Sequence, residues 1–212
     1  MLPEFVEFKP IPRLTRPCVI TEKIDGTNGV VHVAEDGVVT AGSRSRWITP
    51  QMDNHGFAKW VADHADELRA GLGVGTHYGE WWGAGVNKRY PGVLPKRFSL
   101  FNVHRWRETR PACCDVVPVL YEGIFTTDAV ENALMDLRIN GSRVALDCKA
   151  EGVVVFHVQS RLMFKKTIEK DEEHKSQAAA ATPSNVARPA SSAEPAGAQG
   201  ASGPRGAQEE RG

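Results

Sequence analysis

The 212-residue sequence has no surplus of charge of either sign: 26 lysines and arginines stand against 26 aspartates and glutamates. Net charge therefore points to no particular partner, and any basic surface must be local and compensated elsewhere. Cysteine is scarce. Cys18, Cys113, Cys114 and Cys148 are the only four, and none forms a C-x-x-C pair. That spacing excludes a disulfide framework and a thiolate zinc site, and reduced thiols in a cytosol are expected. No apolar run approaches the ~20 residues of a membrane span, and Met1 to Lys9 lacks the layout of a signal peptide. The expectation is a cytoplasmic (intracellular) protein with no membrane partner. No G-x-x-x-x-G-K-[ST] loop is present, so any bound nucleotide is not held by a P-loop. Internal repeats are absent too.

Large apolar residues are missing from about Ser176 to Gly212, where Ala, Ser, Pro, Gly and Gln dominate. Such a segment cannot offset the entropy of ordering. The expected organisation is a folded unit over 1–172 and a disordered low-complexity tail over 173–212.

Within the folded unit, strand signals dominate. Val30 to Val33 and Val38 to Thr40 flank the turn signal Glu35-Asp36-Gly37. Thr76 to Trp82, Phe98 to Val103 and Val116 to Tyr121 each predict a strand. Gly152 to Val158 and Leu162 to Lys166 predict a second hairpin, turning at Gln159-Ser160-Arg161. Phe57, Trp60, Val61, His64 and Leu68 recur at helical spacing. A second helix is expected to be capped by Asp128 with Glu131 three residues on, to bury Ala129, Val130, Ala133, Leu134 and Leu137, and to stop at Asn140-Gly141. Strands with a few helices and no βαβ alternation predict an α+β fold with antiparallel sheets.

Several short segments carry residues suited to chemistry. Glu22-Lys23-Ile24-Asp25-Gly26-Thr27-Asn28 puts a lysine before a glycine that permits a tight turn or close approach. A lysine can be a nucleophile, though the same heptad also suits a solvated turn. Arg44 and Arg46 follow the first hairpin and alternate along the chain; arginine suits phosphate, and a solvated basic edge is the plainer reading. Tyr78, Glu80 and Trp82 share one strand face, where a carboxylate can take ribose hydroxyls or a metal, or simply rim an aromatic core. Phe101 is either core or a base-stacking surface. Glu151 opens a strand and is a hard oxygen donor of the kind Mg²⁺ prefers. Lys165 and Lys166 can offset phosphate charge.

The order of these segments is more telling than any one of them. A K-x-D-G lysine, arginines after a hairpin, G-E-W-W-G, F-N-V, E-G-V-V and paired lysines follow one another from about Thr21 to Lys175. This succession resembles the covalent nucleotidyltransferase superfamily of RNA ligases, ATP-dependent DNA ligases and capping enzymes, and is most similar to phage-type RNA ligases. The resemblance implies an antiparallel-sheet, ATP-grasp-like nucleotidyltransferase fold. It implies ATP with Mg²⁺ or Mn²⁺ and a lysyl-AMP intermediate on Lys23. The AMP would pass to a 5′-phosphate, and a 3′-hydroxyl would then attack that end. It also implies nucleotide contacts from Glu22, Asp25, Gly26, Asn28, Arg44, Glu80, Phe101, Glu151, Lys165 and Lys166, with Glu151 placing the metal.

The implied partners are RNA (or RNA/DNA) ends, as in a nicked duplex. One departure stands out: the family's last lysines are commonly one residue apart, whereas Lys165 and Lys166 are adjacent and should point oppositely. Lys165 is then the one expected at the α-phosphate. A low-complexity stretch follows where DNA ligases and capping enzymes usually carry another domain. That disfavours both and suggests a partner supplying substrate binding. A non-catalytic binder of nucleotide or RNA ends is the alternative of another class.

Overall fold

The segment leading to Lys23 is itself a strand. In a computed structural model, which describes residues 3–169, β1 (Pro17–Lys23) lies inside a four-stranded sheet and buries Cys18, Val19 and Ile20. Its neighbours are β8 (Val119–Ile124) on one side and β9 (Gly152–His157) on the other, with β10 (Leu162–Thr167) at the edge beyond β9. All these pairings are antiparallel. The sequence pattern did not single out β1, because a strand buried on both faces has no alternation to show.

The second sheet has six strands. It contains β2 (Thr27–Val33), β3 (Val39–Gly42), β4 (Trp47–Ile48), β5 (Gly75–Trp82), β6 (Arg97–Leu100) and β7 (Cys114–Val116), in the order β4-β3-β2-β5-β6-β7. Only the β6–β7 pair is parallel. The antiparallel α+β expectation therefore holds. Both expected hairpins form, β2–β3 and β9–β10.

Four details differ from the sequence reading. The helical pattern around Trp60 splits into α1 (Phe57–Asp63) and α2 (Ala65–Leu72) at His64, whose backbone leaves helical geometry (φ −114°, ψ 18°). The strand expected over Phe98 to Val103 stops at Leu100, and Asn102 caps a short helix, α3 (Val103–Trp106). The run Val116 to Tyr121 breaks at Pro118, so its halves serve different sheets; proline has no N–H for a ladder. Finally, Thr126, not Asp128, caps α4 (Thr127–Asn140), its Oγ1 accepting from the Ala129 N–H at 3.0 Å. The stop at Gly141 is as expected, with φ 75°.

The core has three parts. On one face of the six-stranded sheet, α1 and α2 bury Val31, Val33, Trp81 and Phe98. On one face of the four-stranded sheet, α4 buries Cys18, Ile20, Val153 and Val155 with Leu134 and Leu137. The remaining faces meet through Val19, Ile24, Trp82, Tyr90 and Val103. Truncating a side chain such as Leu137 to alanine should cost about 2–5 kcal/mol. Among the described residues no helix is long and apolar enough to cross a membrane. The tail over 173–212 and its boundary at 172 lie outside the described residues.

Candidate functional site at the junction of the two sheets

Strand alternation decides what Lys23 faces. Along β1, Cys18 and Ile20 pack against α4, so Val19, Thr21 and Lys23 take the opposite face. Lys23 is the last residue of the strand and pairs in register with Gly152. That register brings the preceding residue, Glu151, alongside. The Lys23 Nζ donates to Glu151 Oε2 at 2.5 Å, and both side chains are largely shielded, 20% and 13% exposed. The Ile168 N–H donates to the Glu151 carbonyl at 2.9 Å, which fixes that backbone.

The chain then crosses from the four-stranded to the six-stranded sheet through Asp25-Gly26. A side chain at Gly26 has no room: a Cβ there would sit 2.4 Å from the Trp81 carbonyl oxygen and 2.8 Å from the Glu80 Cγ. Close approach, not a positive φ, is what requires glycine. The Gly26 N–H donates to Glu80 Oε1 at 3.1 Å, and Asn28 pairs with Glu80 in register, so the two share a face. Burial pushes the Glu80 carboxyl from 4.5 up to about 7; the Lys23 charge opposes this and the Glu151 charge reinforces it. Glu80 thus senses both members of the ion pair.

Asp25 is held by residues the sequence reading missed. Asn87 Nδ2 donates to Asp25 Oδ1 at 2.9 Å and to the Gly26 carbonyl at 2.8 Å. The Arg89 Nε lies 3.3 Å from Asp25 Oδ2, and its terminal nitrogens reach Glu169 and the Ala150 carbonyl. Arg89 therefore links the Lys23 turn to the residues beside Glu151. Its signal in sequence is faint: a polar N-K-R after a glycine-rich stretch.

The remaining expected residues are placed as follows. Phe101 packs, half-buried, against the cluster joining the sheets, and its N–H donates to the Tyr78 carbonyl. Lys165 pairs with Val154 in register, and Val154 with Thr21, so Lys165 shares the Lys23 face. Lys166 takes the other face and pairs with Glu131 of α4. Arg44 and Arg46 are exposed in the β3–β4 turn, and no ion pair ties either to the Lys23 group among the described residues. Glu22 is not brought to the group. It is 1% exposed and accepts from Ser142 Oγ at 2.6 Å and the Arg143 N–H at 2.7 Å. Burial pushes its carboxyl upward in spite of those bonds.

Among the described residues no group of three or more His, Cys, Asp or Glu forms a ready-made metal site. Glu151 and Glu80 nonetheless suit Mg²⁺, which takes one or two carboxylates and completes its shell with water and phosphate oxygens. What the site offers is an amine against a carboxylate, a second carboxylate with a raised pKa, and a cation on the same sheet face.

Three solved structures of Naegleria gruberi RNA ligase variants share this fold. One, with ATP and Mn, has a TM-score of 0.54 at 16% identity, covering 72% of this chain and 50% of that one. A second, also with ATP and Mn, reaches 0.55 at 16% identity and covers 82% and 60%. A third, with AMP and Mn, gives 0.53 at 15% identity and covers 73% and 50%. The chain spans about half the length of the first of these relatives. No curated protein matches it. A family model described as RNA ligase matches residues 16–170, the greater part of the sequence, and the chain belongs to that family.

Proposed function

We propose that the chain is an ATP-dependent RNA ligase that works through a lysyl-AMP intermediate on Lys23. The observation that carries this reading is the shielded Lys23–Glu151 pair, whose charges both act on the buried Glu80. It puts a nucleophile beside a proton acceptor, with Glu80 and Lys165 on the same side as groups suited to ribose and phosphate. The Naegleria gruberi relatives with ATP or AMP and Mn support the choice of nucleotide and metal.

Neutral Lys23 attacks the α-phosphorus of ATP in line; a P–N bond forms, the α–β bridging P–O bond breaks, and pyrophosphate leaves. Glu151, at 2.5 Å, is the nearest acceptor for the amine proton. Glu80 takes a ribose hydroxyl, Phe101 stacks on the base, and Lys165 offsets charge on the α-phosphate. Asp25, Gly26 and Asn28 shape the turn around the nucleotide, and Arg44 reaches phosphate. In its carboxylate form Glu151 would hold a divalent cation, which would further disperse the phosphate charge. A 5′-phosphate oxygen then displaces Lys23 from the AMP phosphorus, and a 3′-hydroxyl attacks the activated end to release AMP. Nicked duplexes of RNA, or of RNA with DNA, are the proposed substrates.

Sealing of 5′-phosphorylated nicks, in RNA and in DNA duplexes, with ATP or GTP and Mg²⁺ tests this reading. Joining of the RNA-containing nick with ATP is expected. Joining that proceeds only at all-DNA nicks, or labelling by GTP alone, would replace the RNA ligase reading with its DNA ligase or capping rival.

A further inference from the structure

The six-stranded sheet has one face whose cover runs out. At its inner end Trp82 is 1% exposed beneath the four-stranded sheet. Two residues back along β5 lies Glu80, and two further back Tyr78, 58% exposed. Tyr78 belongs to a single transverse row. Phe101 bonds to it on one side; on the other, Val30 pairs with Tyr78, Gly42 with Val30, and Trp47 with Gly42. Directly paired residues share a face, and Val31 and Val33 point the other way into the helical side. The row therefore runs along the face that carries Glu80 and Asn28. Adjacent strands lie ≈ 4.8 Å apart, so four steps from Phe101 to Trp47 span roughly 19 Å.

Trp47 ends this row as a platform. A Cβ on Gly42 would lie 3.1 Å from the Trp47 ring, so the ring lies over that glycine, and 57% of Trp47 is still exposed. His32 packs beside it with ring centroids 5.9 Å apart. The exposed Arg44 and Arg46 stand in the turn joining Gly42 to Trp47, next to the Asn28 end of β2. Lone exposed aromatics are ordinary. Aromatics on a shared row, with arginines at its end and the nucleotide site at its origin, form the combination that holds single strands.

We propose that this row is a docking track for a polynucleotide strand, with a base stacked on Trp47 and a phosphate against Arg46, Arg44 being the arginine assigned to the nucleotide. The assignment rests on the reading that nucleic-acid ends are the substrate, and it adds the path by which a strand leaves the Lys23 site. Stacking is sequence-tolerant, so little base preference is expected.

The test is fluorescence anisotropy of the full chain with a 5′-phosphorylated, 3′-labelled single-stranded RNA. Trp47→Ala is expected to raise the dissociation constant about tenfold, in keeping with the loss of one stacked base. Trp47→Phe should stay within about threefold, and Ile139→Ala, exposed on α4, should bind like wild type. Thermal midpoints of all three confirm folding. Equal RNA affinity for Trp47→Ala and wild type overturns the track. So does a wild type that binds no RNA, which would leave the face to a protein partner. Labelling of wild type by α-labelled ATP, run in parallel, reads the proposed activity separately. RNA binding through Trp47 without label would sink that activity and keep the track.

Discussion

Glu22 and Lys23 are neighbours in the chain, and so are Lys165 and Lys166, yet each pair is divided between two environments. Lys23 and Lys165 share the face toward the other sheet, where Glu151 and Glu80 gather. Glu22 and Lys166 turn away, Glu22 into a buried bond set with Ser142 and Arg143 and Lys166 onto Glu131 of α4. The strands are common to both faces, so the difference comes from the period-two alternation of the strand. On the proposed function one face holds the nucleotide, while the other holds α4 and the chain after it. A residue's proximity in sequence to Lys23 is therefore no guide to its work.

The largest expected effect of breaking this contrast is on the Lys23 face. Lys165→Ala should slow covalent labelling by ATP about 100-fold, the scale for removing one group that meets developing charge, with the thermal midpoint unmoved. A labelling rate unchanged within twofold would put Lys165 outside the site. On the other face, Glu22→Ala should act on stability. It strands the Ser142 hydroxyl and Arg143 N–H and should cost about 1–3 kcal/mol in urea denaturation. Labelling per folded molecule should persist; its loss at full stability would return Glu22 to the nucleotide.

Glu80 sharpens the contrast through pH. Its folded carboxyl holds its proton more tightly than the unfolded one, about 7 against 4.5. Protonation therefore favours the folded state, and that contribution is present below 4.5 and lost as pH rises through about 7. Glu80→Gln should lack this loss, so its stability relative to wild type should improve from pH 4.5 to 7; parallel curves would show Glu80 is not held as described. The smallest effect belongs to Lys166→Ala. Its partner Glu131 is 54% exposed and Lys166 36%, and such pairs are worth at most about 1 kcal/mol. Labelling within threefold of wild type is expected, and a 100-fold loss would exchange the roles of the two lysines.

Much of this arrangement was legible in the sequence, and the gaps have physical causes. The β2–β3 and β9–β10 hairpins carry their own turn signals, and the buried face of α4 repeats at helical spacing. Adjacent lysines on a strand have to diverge, so the opposite facing of Lys165 and Lys166 followed from spacing, whereas which of them meets α4 depends on the β9–β10 register. β1 escaped notice because both its faces are covered. The ties of Asn87 and Arg89 to Asp25 cross more than sixty positions of chain, and only the assembled sheets bring such residues together. The inward turn of Glu22 depends on the loop after α4 arriving beneath it, which no local pattern announces.

The most direct measurement is incubation of the protein with α-labelled ATP and Mg²⁺ followed by denaturing electrophoresis. Label that survives denaturation on wild type and is absent from Lys23→Ala is the predicted result. A wild type that takes no label, or a Lys23→Ala protein that takes as much as wild type, would contradict the account.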